Sequence, residues 1–201
     1  ISSKSKMAVL NGDINEFSTL GFEQLQEIAA LSIDPKNLTQ LKEILAHKYG
    51  ICLQVERGFK SMKMDGCAFK LSQGTPVVGI TLRYNRYDNF WFTLMHELAH
   101  ISLHYDKLDN PIVDDFDDAG HSVIEKEANI TAKDSIISRP AWRNIWNSRE
   151  NKQSLISHCR NAKVHPALAA GMVRHQSKNY KFYSELVHEI DLLKMLGFHE
   201  D

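Results

Sequence analysis

The sequence predicts an α+β domain, and three features predict it. Short β-prone runs cluster between residues 51 and 82, one long helix with apolar residues on nearly every side follows, and the chain from about residue 121 onward carries helical spacing. With 201 residues, 43% of them hydrophobic, the chain can bury a core of ordinary size, and neither global disorder nor a collagen-like repeat fits that composition. A net charge of −1 argues against a dedicated nucleic-acid binder.

Residues 1–20 mix Ser, Lys, Asn and Gly with little periodicity and are read as a linker or loosely attached lead-in. Lys4 and Lys6 are not followed by an apolar stretch, so no secretory signal is expected, and from the start at Ile1 the chain is expected to be processed or part of something longer. Phe22, Leu25, Ile28, Ala29 and Leu31 predict a helix over 22–33. A second begins after Asp34 with Pro35 at its first position, carries Leu38, Leu41, Ile44 and Leu45 on one face, and stops at Gly50. Runs 51–56, 67–71 and 76–82, separated by Gly-containing turns, predict a small antiparallel sheet.

Asp88 is the expected N-cap of a helix reaching about Tyr105. Phe90, Trp91, Phe92, Leu94, Met95, Leu98, Ala99, Ile101 and Leu103 leave it no polar face, so it belongs in the middle of a domain. Further helices are expected at about 121–137, 140–147, 151–162, 166–175 and 180–196. The main domain is placed at 21–178, with a C-terminal helix in 179–201. The longest uninterrupted apolar run, Ala167 to Val173, is too short to span a bilayer. Cys52, Cys67 and Cys159 are too few for a disulfide framework or a four-Cys zinc site and read as reduced, mostly buried thiols of a cytoplasmic protein. Charge is polarised along the chain. Residues 105–134 hold nine acids against three bases, and residues 139–181 hold nine bases against Glu150. Solvated helix faces account for such blocks, with a basic contact surface as the alternative. The run Asp114-Asp115-Phe116-Asp117-Asp118 lacks calcium-loop spacing and reads as a solvated rim.

The central helix contains His96-Glu97-Leu98-Ala99-His100. Two His at i and i+4 leave one helix face and can reach one ion, here Zn2+, while the intervening Glu97 sits where a carboxylate can serve as general base for the attacking water. With 10 His in 201 residues, chance would supply roughly 0.03 such patterns in a chain of this length. A catalytic zinc needs a third protein ligand. His104 lies eight residues beyond His96, about 12 Å along the axis, which is too far for the same ion, so it reads as a supporting or structural residue. The segment Glu125-Lys126-Glu127-Ala128-Asn129 offers better candidates. Glu125 and Asn129 share a face, and Glu127 points about 160° away from Glu125. Glu125 is the expected ligand, Glu127 the alternative, and Asn129 an amide able to hold a ligating His in its tautomer. Tyr84, Tyr87, Tyr105, Arg174 and His175 are unranked candidates for stabilising an oxyanion. The strand 76–82 is a candidate edge for binding an extended substrate.

HELAH, EKEAN and the IISRPAW that follows resemble the ImmA/IrrE family of metallopeptidases, with further similarity in PVVGITLRY, DNFWFTLMHELAHISLH and VHPALAAGMVRH. The resemblance covers roughly residues 51–175 and departs at Thr131, where an aromatic is common, and at Ser138-Arg139, where a Pro-Pro pair is common. It implies a zincin-like domain with the sheet packed on the active-site helix, and zinc ligation by Glu125 as the acid opening E-x-x-x-N. It also implies a transcriptional repressor as protein substrate, in stress, phage or mobile-element regulation, and a helix-turn-helix domain upstream of this chain. The expected function is zinc-dependent endopeptidase action with metal ligands His96, His100 and Glu125 and with Glu97 as general base. The alternative is a regulatory or sensor module of a helix-turn-helix regulator or antitoxin that keeps the metal site but cleaves little. No direct nucleic-acid or membrane contact by this chain is expected.

Overall fold

Alternating helical and extended segments follow directly from the hydrophobic spacing. In a computed structural model, which describes residues 2–10, 12–58, 64–113 and 123–198, the order is α1 (Ser2–Leu10), α2 (Phe22–Ala30), α3 (Leu41–Tyr49), β1 (Cys52–Arg57), β2 (Gly66–Lys70), β3 (Pro76–Leu82), α4 (Tyr87–His104), β4 (Ile112–Val113), α5 (Val123–Ile136), α6 (Arg139–Asn147), α7 (Lys152–Asn161), α8 (Pro166–Ser177), α9 (Ser184–Val187) and α10 (Leu192–Met195). The acidic run Asp114–Asp118 lies outside the described residues. Among the described residues no helix is long and apolar enough to cross a membrane.

The sheet has strand order β1-β3-β2-β4. All seven residues of β3 are buried, and it takes one of the two inner positions, with a partner on each side. β2 and β4 run antiparallel, as do β2 and β3, with Gly66 opposite Ile80 and Lys70 opposite Pro76. β1, however, runs parallel to β3, with Cys52 opposite Val77 and Arg57 opposite Leu82. The sheet is therefore mixed and not the purely antiparallel one expected. A parallel pair needs a connection of about a dozen residues or more, and the chain from residue 58 through β2 and its turn supplies it. Because β3 is enclosed, the expected use of strand 76–82 as a substrate-binding edge is also corrected.

α4 lies between β2 and β3 on one side and α2, α5 and α8 on the other. Leu94, Leu98 and Trp91 are fully buried there, in one cluster with Leu25, Ile28, Ile80, Ala128 and Leu168. The helix starts at Tyr87, with Arg86 as its cap, so Asp88 is not the N-cap. Asp88 occupies the first turn instead, paired with the Arg86 guanidinium at a helix end that favours a carboxylate.

Three other expectations change. The lead-in is helical over α1, with Ser5 buried and Lys4 ion-paired to Glu56, and Phe17 stacks on Tyr105 at 4.9 Å. The segment after Asp34 opens as a 3-10 turn over Pro35–Thr39 before α3 begins, with Asp34 accepting from the Lys36 N–H. α3 does stop at Gly50, whose φ is +67° and where a Cβ would lie 2.7 Å from the Phe17 backbone. The expected C-terminal helix is split into α9 and α10. Asp191 caps α10 through the Lys194 N–H, and Asn85 Oδ1 accepts from Leu192 N–H at 2.8 Å, so the chain turns there instead of continuing. Cys52, Cys67 and Cys159 are buried and form no disulfide among the described residues. Burial pushes the Cys159 thiol up to about 12.

Candidate metal centre

His96 and His100 sit one turn apart on α4, their rings 4.6 Å apart and inclined at 80°. Their Nε2 atoms face each other at 3.0 Å. α5 crosses this point because its inward stripe begins with Glu125 and continues through Ala128 and Ala132, whose small side chains let the two helices approach. Glu125 Oε2 lies 3.1 Å from His96 Nε2, and Oε1 lies 3.4 Å from His100 Nε2. Glu125 stands in the first turn of α5, where the helix end favours a carboxylate.

These separations test the site for a metal. Ligand atoms at about 2 Å from a tetrahedral zinc lie about 3.3 Å from one another. The imidazole nitrogens lie 3.0 Å apart, and each has one of the two Glu125 oxygens at 3.1 or 3.4 Å, which is of that order. Two imidazoles and one carboxylate are also the donor set of an open, catalytic site and not of a closed structural one. His96, His100 and Glu125 thus fit a metal ion.

Glu97 follows His96 and is 1% exposed. It lies under β2. A Cβ added at Gly66 would collide with Glu97 Oε1, lie 3.0 Å from Glu97 Cδ and lie 2.7 Å from Thr93 Cγ2. The glycine is what allows the strand and this carboxylate to occupy adjoining space.

His104 stays outside the ligand group, as its distance along the helix predicts. Its Nδ1 is 3.2 Å from His100 Nδ1, and its Nε2 is 3.0 Å from Glu127 Oε2. Asn129, expected to hold a ligating imidazole, is exposed. The inward stripe of α5 runs 125, 128, 132, which turns position 129 away, and His104 stands beside His100 instead. A third His continuing the i, i+4 series was the sequence signal for this.

The five oxyanion candidates are dispersed. Tyr87 is buried and donates to the Ser32 carbonyl, with burial pushing its phenol well above the usual range. Tyr105 donates to the Gly74 carbonyl. Arg174 is buried close to Arg86 and Asp88, at the start of α4, about 12 Å of helix before His96. Tyr84 and His175 are exposed.

No curated protein matches the chain. Residues 46–164 match the peptidase M78 family, described as the IrrE N-terminal-like domain. That span is more than half of the chain and includes the sheet, all of α4 with its two His and Glu97, and all of α5 with Glu125. By that match, the chain belongs to the peptidase M78 family of IrrE N-terminal-like domains.

Proposed function

We propose that this chain is a zinc-dependent endopeptidase in which His96, His100 and Glu125 hold the metal and Glu97 handles the proton. The convergence of the two imidazole nitrogens and the Glu125 carboxylate is the observation that carries this reading. Zinc bound there supplies Lewis acidity, polarising the scissile carbonyl and making water a competent nucleophile near neutral pH. Glu97 takes the proton released by the attacking water and returns it to the leaving amine. Its burial under β2 keeps the carboxylate in one orientation while it does so.

The sheet supports an extended protein segment as substrate. β2 lies over Glu97, and β4, one of the two end strands among the described residues, flanks β2. An extended segment adding along β4 would gain main-chain hydrogen bonds close to Glu97. An exposed segment of a DNA-binding repressor is the substrate and partner we propose, recognised by this chain without nucleic-acid contact of its own.

Zinc content and digestion of a peptide library test the proposal. The wild-type chain is expected to bind one zinc and to give products that a chelator abolishes. Glu97→Gln should keep the zinc and lose cleavage by about 10²–10⁴-fold. Cleavage unaffected by Glu97→Gln would sink the mechanism. Zinc binding without cleavage of any peptide would instead favour a regulatory module that retains the site.

A further inference from the structure

The side of His100 turned away from the metal-ligand atoms is occupied by a second imidazole and then a carboxylate. We propose that Glu127 and His104 act as a positioning relay that holds His100 with its Nε2 lone pair directed at His96 and Glu125. This rests on the metal-site reading above. The atoms form a chain. Glu127 Oε2 is 3.0 Å from His104 Nε2, His104 Nδ1 is 3.2 Å from His100 Nδ1, and His100 Nε2 is 3.0 Å from His96 Nε2.

Hydrogen-bond chemistry assigns the direction. An ionised carboxylate only accepts, so the proton between Glu127 and His104 sits on His104 Nε2. The relay takes His104 as neutral, with that proton its single N–H, so His104 Nδ1 accepts; an imidazolium would donate from both nitrogens and reverse the bond, an outcome that the His100 ring shifts distinguish. His100 Nδ1 must then donate to it, and His100 Nε2 keeps the lone pair that a metal ligand needs. The opposite arrangement would set a lone pair of His104 against the Glu127 carboxylate. His100 and His104 are both buried, at 0% and 5% exposure, where a polar contact is little exchanged for water. The Glu127 side chain is 56% exposed and fills no core space, which separates its role from packing.

The full chain with Glu127→Gln is the decisive variant, because an amide can donate as well as accept and so removes the constraint. Three readouts are compared with wild type: the melting temperature without metal, the ring ¹⁵N shifts of His100 without metal, and zinc affinity by chelator competition. Glu127→Gln should melt as wild type does, show His100 shifts moved toward the other tautomer, and bind zinc about 10-fold more weakly. His104→Phe should weaken zinc by up to about 100-fold, and His104→Gln, which restores an acceptor for His100 Nδ1–H, should recover part of that loss. Wild-type His100 shifts in Glu127→Gln overturn the relay even if His104→Phe fails to fold. A wild-type chain that binds no zinc overturns the peptidase reading, and the His100 shifts of the metal-free proteins then decide the relay alone.

Discussion

At the scale of single residues, the site depends on small side chains as much as on the reactive ones. Gly66 is the plainest case. A methyl there would meet Glu97 and Thr93 inside contact distance, so the carboxylate, the strand or both must shift. We expect Gly66→Ala to lower kcat by about 10²-fold, the scale of loss when a reacting group is misplaced by about 1 Å, with zinc stoichiometry unchanged. A wild-type kcat in Gly66→Ala would show that Glu97 works from some other position. His96, Glu97 and His100 are legible from sequence because one helix carries all three and its period alone places them together. Glu125 is legible in kind, since helical phase separates it from Glu127. The function of Glu127 was not, because its partner His104 lies 23 positions away in the chain.

At the scale of elements, α8 offers a pH test. His165 caps this helix by accepting from the Ala167 N–H through Nδ1, and its ring lies edge-on to Tyr87 at 5.0 Å. Burial holds the imidazole below its usual value of 6.5, against the opposing pull of Glu189. The unfolded chain therefore takes up the proton first as pH falls. Stability from this residue is full above about pH 6.5 and is lost as pH drops from there toward the folded value. The slope is at most about 1.4 kcal/mol per pH unit. Asn also caps helices and does not titrate in this range, so His165→Asn should flatten the decline in stability between pH 7.5 and 5.5, as read by urea unfolding. Parallel pH profiles for the two proteins would refute this. Element types were legible where the period was strong, as in α2, or where apolar residues covered nearly every side of one long segment, as in α4. The split between α9 and α10 was not, because Asn85, which helps make it, lies 107 positions away in the chain.

At the scale of the whole molecule, metal binding and folding should be coupled. The candidate ligands come from α4 and α5, so a bound ion ties two helices that the chain joins only through a long connection. Free zinc at one hundred times its Kd would add about 2.7 kcal/mol to stability. For a chain of this size that is about 5–10 °C in Tm. Thermal melts with zinc and with excess chelator should differ by this amount, and superimposable melts would contradict the coupling. The net charge of −1 likewise conceals structure. The acidic and basic blocks meet where Asp134 on α5 pairs with Arg139 on α6 at 2.8 Å.

The α+β class, the buried central helix and the pairing of two imidazoles with a neighbouring carboxylate can all be read from the residues alone, because each follows from local patterning and chemistry. The residues also limit the third donor to one short acidic segment. The parallel pairing of β1 with β3, the closeness of Gly66 to Glu97 and the line from Glu127 through His104 to His100 emerge only in the folded chain. Those depend on which strands lie inside the sheet and on how α5 crosses α4. Both are outcomes of packing between segments distant in sequence, on which no local pattern of residues bears.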